Sequence, residues 1–217
     1  MRRLNRYDTY GMIEDQYEPG TRKRVLKNIP GIRRKKELEA LETSELLRTT
    51  NHLIQTYDKS HRFTAEDICG MHKLWLGSIY EWSGRYRQVM ISKGGFPFAS
   101  PNQIPRLMNE FEQEILKPFT PCVFKNRGKI IQALAVVHTE LVIIHPFREG
   151  NGRLARLLAI LMGLQADQPF LDFSGIRGKR RDTYFAAIRS GMARNYEPME
   201  EIFTYVFSRS LKSSAFQ

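Results

Sequence analysis

Cysteine is nearly absent: Cys69 and Cys122 are the whole complement of a 217-residue chain, far apart and without a CxxC pairing. That excludes a disulfide framework and a cysteine-based zinc site, and leaves two reduced, partly buried thiols. No apolar run approaches the roughly 18 to 20 residues of a membrane span. The start, Met1-Arg2-Arg3-Leu4-Asn5, lacks the apolar stretch of a secretory signal, so no membrane partner and a cytoplasmic location are expected. Neither GxxxxGK[ST] nor a GxGxxG behind a strand occurs, which excludes the two commonest glycine-rich nucleotide cradles. Internal repeats and low-complexity segments are missing as well. Acidic charge is in deficit, with 34 Lys and Arg against 23 Asp and Glu and a formal net charge of +11.

That excess is front-loaded. Residues 1–36 hold 11 basic and 4 acidic residues, which is +7 of the +11, and residues 37–217 carry the remaining +4. A solvated basic arm explains this more simply than a nucleic-acid contact, and the weak remainder leaves room for a small phosphate-bearing ligand. Breaks at Pro19-Gly20 and Pro30-Gly31 give the arm an irregular course. The expected organisation is therefore an arm, 1–36, packed on one domain, 37–217. Hydrophobic residues at 41% and aromatics at 11% suffice for a single ordinary core.

From Glu37 the texture is helical. Leu38, Leu41, Leu46, Leu53, Ile54 and Tyr57 mark one face of a first helix. Thr64 is placed to cap a second, with Ile68, Met71, Trp75 and Ile79 as its buried stripe. Arg85 to Ser92 alternates and is β-prone, Lys93-Gly94-Gly95 turns and Phe96-Pro97-Phe98 returns, which predicts a hairpin. Ile104, Leu107, Met108, Phe111 and Ile115 give a third helix ending before Pro118. Residues 127–144 are apolar nearly all round, the mark of a central buried helix, and 154–164 form a second. Two more are expected over 182–192 and 197–211. The fold class is all-α with one small hairpin.

Between the two most apolar helices lies His145-Pro146-Phe147-Arg148-Glu149-Gly150-Asn151-Gly152-Arg153-Leu154-Ala155-Arg156. Gly150 and Gly152 around Asn151 let the backbone turn N–H groups inward, and the helix beginning there adds its positive dipole end: an anion cradle. Arg153 and Arg156, three apart, can reach further phosphate oxygens. Glu149 among these groups would repel a phosphate ligand unless a cation such as Mg²⁺ lies between them. His145 is the group in the loop whose ordinary pKa lies near neutrality, the natural general base.

The run from His145 to Arg156 resembles the HPFx[DE]GNGRxxR signature of the Fic family and matches it at every specified position. Ile91-Ser92-Lys93-Gly94-Gly95-Phe96-Pro97-Phe98 resembles that family's target-docking flap, and Pro19-Gly20-Thr21 with Leu26-Lys27-Asn28 the lead-in of bacterial members. The resemblance implies a Fic-type helical domain that transfers AMP from ATP, with Mg²⁺, to a Ser, Thr or Tyr hydroxyl of a target protein. His145 would deprotonate that hydroxyl and Glu149 would hold Mg²⁺. Asn151 and the amides around Gly150 and Gly152 would stabilise the α- and β-phosphates, Arg153 would contact the β-phosphate region and Arg156 the γ-phosphate. Phe147 is expected in the core and Arg148, at the variable position, in solvent. The Doc branch has Lys where this chain has Gly152, which favours AMP transfer. Tyr184 and Tyr196 are candidates for the adenine pocket.

An exposed hairpin edge can take an extended target segment by strand addition. Many relatives carry an inhibitory [ST]xxxE[GN] helix, and here no Ser or Thr has Glu four residues later. A small separate antitoxin supplying that helix is therefore expected, with an enzyme under other control as the second reading. A type II topoisomerase subunit is a target candidate by the example of some family toxins. Competing readings are a non-catalytic nucleotide- or protein-binding module and transfer of another phosphate-containing group.

Overall fold

The computed structural model describes residues 12–214. The first part of the arm, with Arg2, Arg3, Arg6 and Asp8, lies outside the described residues. Helix α1 (Lys35–Thr56) packs against α2 (Ala65–Leu76). The Thr64 hydroxyl accepts the Asp67 N–H at 3.1 Å while the Asp67 carboxylate accepts the Thr64 N–H at 2.9 Å, a reciprocal cap that satisfies two donors a helix start leaves unpaired. Ile68, Met71 and Trp75 are buried as expected. On α1 the expectation for Ile54 fails: it is exposed, and Glu42 is buried instead.

The hairpin is shorter than its sequence suggests. Strands β1 (Ser92–Lys93) and β2 (Phe96–Pro97) pair antiparallel, Ser92 opposite Pro97 and Lys93 opposite Phe96, about a Gly94-Gly95 turn whose φ values are 58° and 78°. No strand forms over 85–91. The Arg87 N–H donates to the Pro146 carbonyl at 2.9 Å and the Gln88 N–H to the Glu14 carboxylate at 2.6 Å, so this stretch spends its backbone donors away from any partner strand.

Helix α3 (Ile104–Glu110) continues as a π-helical stretch, Phe111–Leu116, into α4 (Lys117–Phe119). The chain was expected to leave the helix before Pro118. The wider π turn ahead of it relieves the clash a proline ring makes with the preceding α turn.

Two helices form the centre. The Asn126 side chain caps α5 (Arg127–Ile144) by accepting the Lys129 N–H at 3.2 Å. Leu134, Val137 and Leu141 of α5 and Leu154, Leu158 and Met162 of α6 (Asn151–Gln165) are buried, each worth roughly 1.5–3 kcal/mol. Helix α7 (Lys179–Ser190) and α8 (Glu197–Ser214) close the far side, α8 against both α5 and α7. Helix α6 starts at Asn151 rather than Leu154, and α7 at Lys179 rather than Asp182. The class is all-α with one hairpin. Among the described residues no helix is long and apolar enough to cross a membrane.

The described part of the arm lies against the domain. Tyr17 bridges Leu26, and the Ile29 N–H donates to the Ile79 carbonyl at 2.8 Å. Arg148 corrects its sequence reading. Instead of facing solvent, its Nε donates to the Glu14 carbonyl at 2.8 Å and its Nη2 to the Tyr17 hydroxyl at 3.2 Å, which ties the arm to the loop between α5 and α6.

Candidate active site

Helix α5 ends because His145 adopts a left-handed conformation, φ 53° and ψ 57°, and Pro146 follows. The loop that begins there is braced from inside. Phe147 is fully buried and stacks on the imidazole of His72, ring centroids 3.9 Å apart. His72 Nδ1 accepts the Gly84 N–H at 2.8 Å, so its proton is on Nε2, which donates to the Glu149 carbonyl at 3.1 Å. Asn151 Oδ1 accepts the Phe147 N–H at 2.9 Å and its Nδ2 donates to the Phe147 carbonyl at 2.7 Å. Sequence reasoning gave the Asn151 side chain a phosphate. Buried and hydrogen-bonded on both groups, that side chain braces the loop, while the Asn151 backbone N–H stays at the start of α6.

Gly150 is forced. Its φ is 86°, and a Cβ there would lie 2.7 Å from the Trp75 ring. Gly152 is different, since a Cβ there would meet nothing within 4 Å and would fill open space in the cavity that Gly152 lines. Among the described residues the first-turn N–H groups of Asn151 and Gly152 have no partner, which leaves the positive end of α6 facing that space. These features fit a phosphate.

His145 Nδ1 lies 3.1 Å from the Val142 carbonyl. A carbonyl can only accept, so the proton sits on Nδ1 and Nε2 keeps its lone pair. Burial pushes the His145 pKa down to about 4; the positive charges of Arg87 and Lys93 lower it too, against the Val142 contact and Glu149. The imidazole is neutral at pH 7, as a base must be. Over its face lies Phe98, centroids 3.7 Å apart. Behind it, Arg87 is fully buried: Nε donates to the His145 carbonyl at 2.8 Å, Nη1 to Val89 at 2.7 Å and Nη2 to Ala99 at 2.6 Å. One guanidinium thus ties the base to both ends of the hairpin segment.

The two arginines of the loop are held in unlike ways. Arg153 Nη2 lies 2.7 Å from Glu42 Oε2 and 3.5 Å from Glu149 Oε1, with the guanidinium 4.7 Å above the Trp75 ring. Tyr80 donates its hydroxyl to the other Glu42 oxygen at 2.6 Å. Arg156 has no carboxylate partner among the described residues; it lies over the rings of Tyr184 and Phe173, and its buried Nε is unpaired. Tyr184 is buried, its hydroxyl lies 2.8 Å from His138 Nε2 and also hydrogen-bonds the Arg156 side chain, and its ring lines the cavity. Tyr196 bonds Glu140 and lines a separate groove, so it does not join the cavity of His145.

That cavity, of about 570 Å³, gathers His145, Glu149, Gly150, Gly152, Arg153 and Arg156 with Lys93, Gly94, Phe96 and Phe98 of the hairpin. Ile91, Ser92, Gly95 and Pro97 stand outside its lining. Glu149 Oε1 accepts the Gly150 N–H at 2.9 Å, and Glu149 is the lone carboxylate among the described residues lining the cavity. One hard oxygen donor with phosphate oxygens and waters completing the shell suits Mg²⁺, which does not ask for a full protein cage. Glu42 and Arg87 were missed by sequence reasoning; a glutamate among the apolar residues of α1 was the one signal for the first.

A buried, braced loop thus presents a neutral imidazole, a helix N-terminus and an arginine without a carboxylate partner among the described residues to one cavity, an arrangement that fits a phosphate-bearing ligand. Residues 62–162 match the model of the Fic/DOC family. It is similar to the protein adenylyltransferase Fic of Nematostella vectensis, 35% identical over 138 residues, which is 62% of this chain and 30% of that protein. Protein adenylyltransferase VbhT of Bartonella schoenbuchensis is 30% identical over 132 residues, 61% of this chain and 27% of that one. The chain therefore spans less than a third of either relative's length. Among solved structures, the N-terminal Fic domain of a putative cell filamentation protein from Bartonella quintana, with bound ADP, is 28% identical and aligns with a TM-score of 0.66 over 83% of this chain and 89% of that one.

Proposed function

We propose that this chain is a protein adenylyltransferase that moves AMP from ATP to a Ser, Thr or Tyr hydroxyl of a target protein. The observation that carries the reading is the tautomer of His145: a neutral imidazole whose bare Nε2 belongs to the same cavity as the N-terminus of α6 and Arg156. The target oxygen attacks the α-phosphorus, the bond to the β-phosphate bridging oxygen breaks, Nε2 takes the hydroxyl proton and pyrophosphate leaves. Amides of Asn151 and Gly152 would face the α- and β-phosphates, and Arg153 and Arg156 the β- and γ-phosphates. Glu149 would hold Mg²⁺, whose contribution there is to neutralise phosphate charge. The names of the relatives and the ADP-bound domain support this assignment.

Control by a separate partner belongs to the same proposal. A groove of about 510 Å³, lined by Leu46, Thr50, Leu157, Ile160 and Phe170, opens beside Arg153 and Arg156. An amphipathic helix would bury an apolar face there, and a glutamate on it would reach Arg156, the arginine without a carboxylate.

The test is mass spectrometry of a cell lysate incubated with the protein, Mg²⁺ and ATP, beside the His145→Ala variant. An adenylyl increment seen only with the unaltered protein supports transfer. A different phosphate-containing increment would reassign the group transferred, and no increment with any nucleotide would leave a binding module as the better account.

A further inference from the structure

The hairpin separates two surfaces of opposite charge. On the cavity side, Lys93 of β1, Arg177 of the loop before α7, and Arg181 and Arg189 of α7 ring the mouth together with the loop arginines, against the single carboxylate of Glu149. These four cations are exposed, and none forms an ion pair among the described residues. Lys93 and Arg181 approach the ring of Phe185 from separate elements, each 5.6 Å from its centroid. On the other side, Phe96 and Pro97 border a groove with Leu107 and Ile143 whose charged lining is Glu110, Glu114 and Glu140 against one cation, Arg194.

The four line the same cavity, but the proposed triphosphate site has other partners. That triphosphate is already faced by the N-terminus of α6, by Arg156 and by whatever cation Glu149 holds, while Lys93 belongs to the hairpin, whose two-stranded sheet leaves a free edge on each strand. A polypeptide added to such an edge is extended, so residues two apart share one face and adjacent residues take opposite faces. The residue whose hydroxyl enters the cavity therefore shares the basic side with the residues two before and two after it, and its immediate neighbours face the acid-rimmed groove.

We propose that this face docks an extended target segment with acidic residues at the −2 and +2 positions around the acceptor hydroxyl, and apolar or basic residues at −1 and +1. This names the substrate class of the adenylyl-transfer reading and rests on it. Exposed charge pairs are individually weak, so selectivity comes from several acting together and is salt-dependent.

The test uses the full chain with ADP and three sets of short fluorescent peptides with a central Ser, Thr or Tyr: acidic at ±2, acidic at ±1, and lysine at ±2. Affinity is read by fluorescence anisotropy at about 50 and 200 mM salt. The set acidic at ±2 should bind about tenfold more tightly than the other two, with the advantage shrinking at the higher salt. Arg181→Glu and Arg189→Glu should each remove the preference while ATP affinity stays within about twofold; Lys36→Glu, on α1, should not. Equal binding of the three sets, or a preference that survives both reversals, would overturn the proposal. So would loss of ATP affinity in the reversals, which would give these cations to the nucleotide, or tighter binding of a single-stranded oligonucleotide at the same residues. Peptide binding needs no turnover, so the expected preference without any adenylyl increment would reject the transfer reading and leave the docking face standing.

Discussion

The ring of Phe98 lies face to face with the imidazole of His145, centroids 3.7 Å apart and planes inclined by 14°. A hairpin residue thus covers the base. Replacing it with alanine opens that face to water and reduces the burial that holds the His145 pKa near 4, so the pKa rises toward its ordinary 6.5. With His145 as the proposed base, active when neutral, the acid limb of the pH profile of kcat/KM should move to higher pH in Phe98→Ala and return in Phe98→Tyr. An unmoved limb would mean that Phe98 is only a contact for the target.

Acid should weaken the fold in a defined window. Burial lowers the pKa of His72 and of His145 to about 4 and that of His138 to about 3, from 6.5. A histidine with a depressed native pKa binds more protons when unfolded, so its contribution is present above 6.5 and is lost as pH falls from there toward 4. Each adds a slope of up to about 1.4 kcal/mol per pH unit. The carboxylates of Asp67 and Asp172, held below their usual range, act only at lower pH. Urea titrations between pH 7 and 5 should show falling stability, and His145→Ala should remove about a third of the slope. A flat profile would refute this account.

Arg153 and Arg156 should separate stability from binding. Removing Arg153 strands Glu42, a buried carboxylate that would keep only the Tyr80 hydroxyl. Arg153→Ala should therefore cost about 2–3 kcal/mol in urea denaturation. Arg156 has no carboxylate partner among the described residues and bonds only the Tyr184 hydroxyl, so Arg156→Ala should change stability by less than about 1 kcal/mol. Both should weaken ATP binding, measured by calorimetry.

The glycines divide in the same way. Gly150→Ala combines a φ of 86° with a Cβ 2.7 Å from Trp75 and should destabilise by about 2–4 kcal/mol. Gly152→Ala meets nothing within 4 Å, so stability should hold or rise by about 0.5 kcal/mol while the methyl group obstructs the cradle and ATP binds less tightly. Thermal melts with and without ATP distinguish the two.

How far the sequence could be read follows from where each constraint lies. The apolar faces of α5 and α6 and the loop between them are local patterns, and both were legible. The loss of a strand over 85–91 was not, because alternation reports side chains whereas a strand needs a neighbour, and the donors of Arg87 and Gln88 go to Pro146 and Glu14. Glu42 was hidden for a related reason: its burial is decided by Tyr80 and Arg153, distant in sequence. The role of the Asn151 side chain was not legible either, because its amide group closes on Phe147 four residues back, while its backbone N–H opens α6.

Arg87 joins the carbonyl of His145 to those of Val89 and Ala99, on either side of the hairpin. For a segment docked on the hairpin as proposed, its binding and the ionisation of the imidazole are two ligand equilibria on one body, and any coupling between them is mutual by linkage. Whatever free energy such a segment adds to the neutral imidazole, a proton arriving there would take from docking, so the segment's affinity would serve as a thermodynamic gauge of the charge on His145.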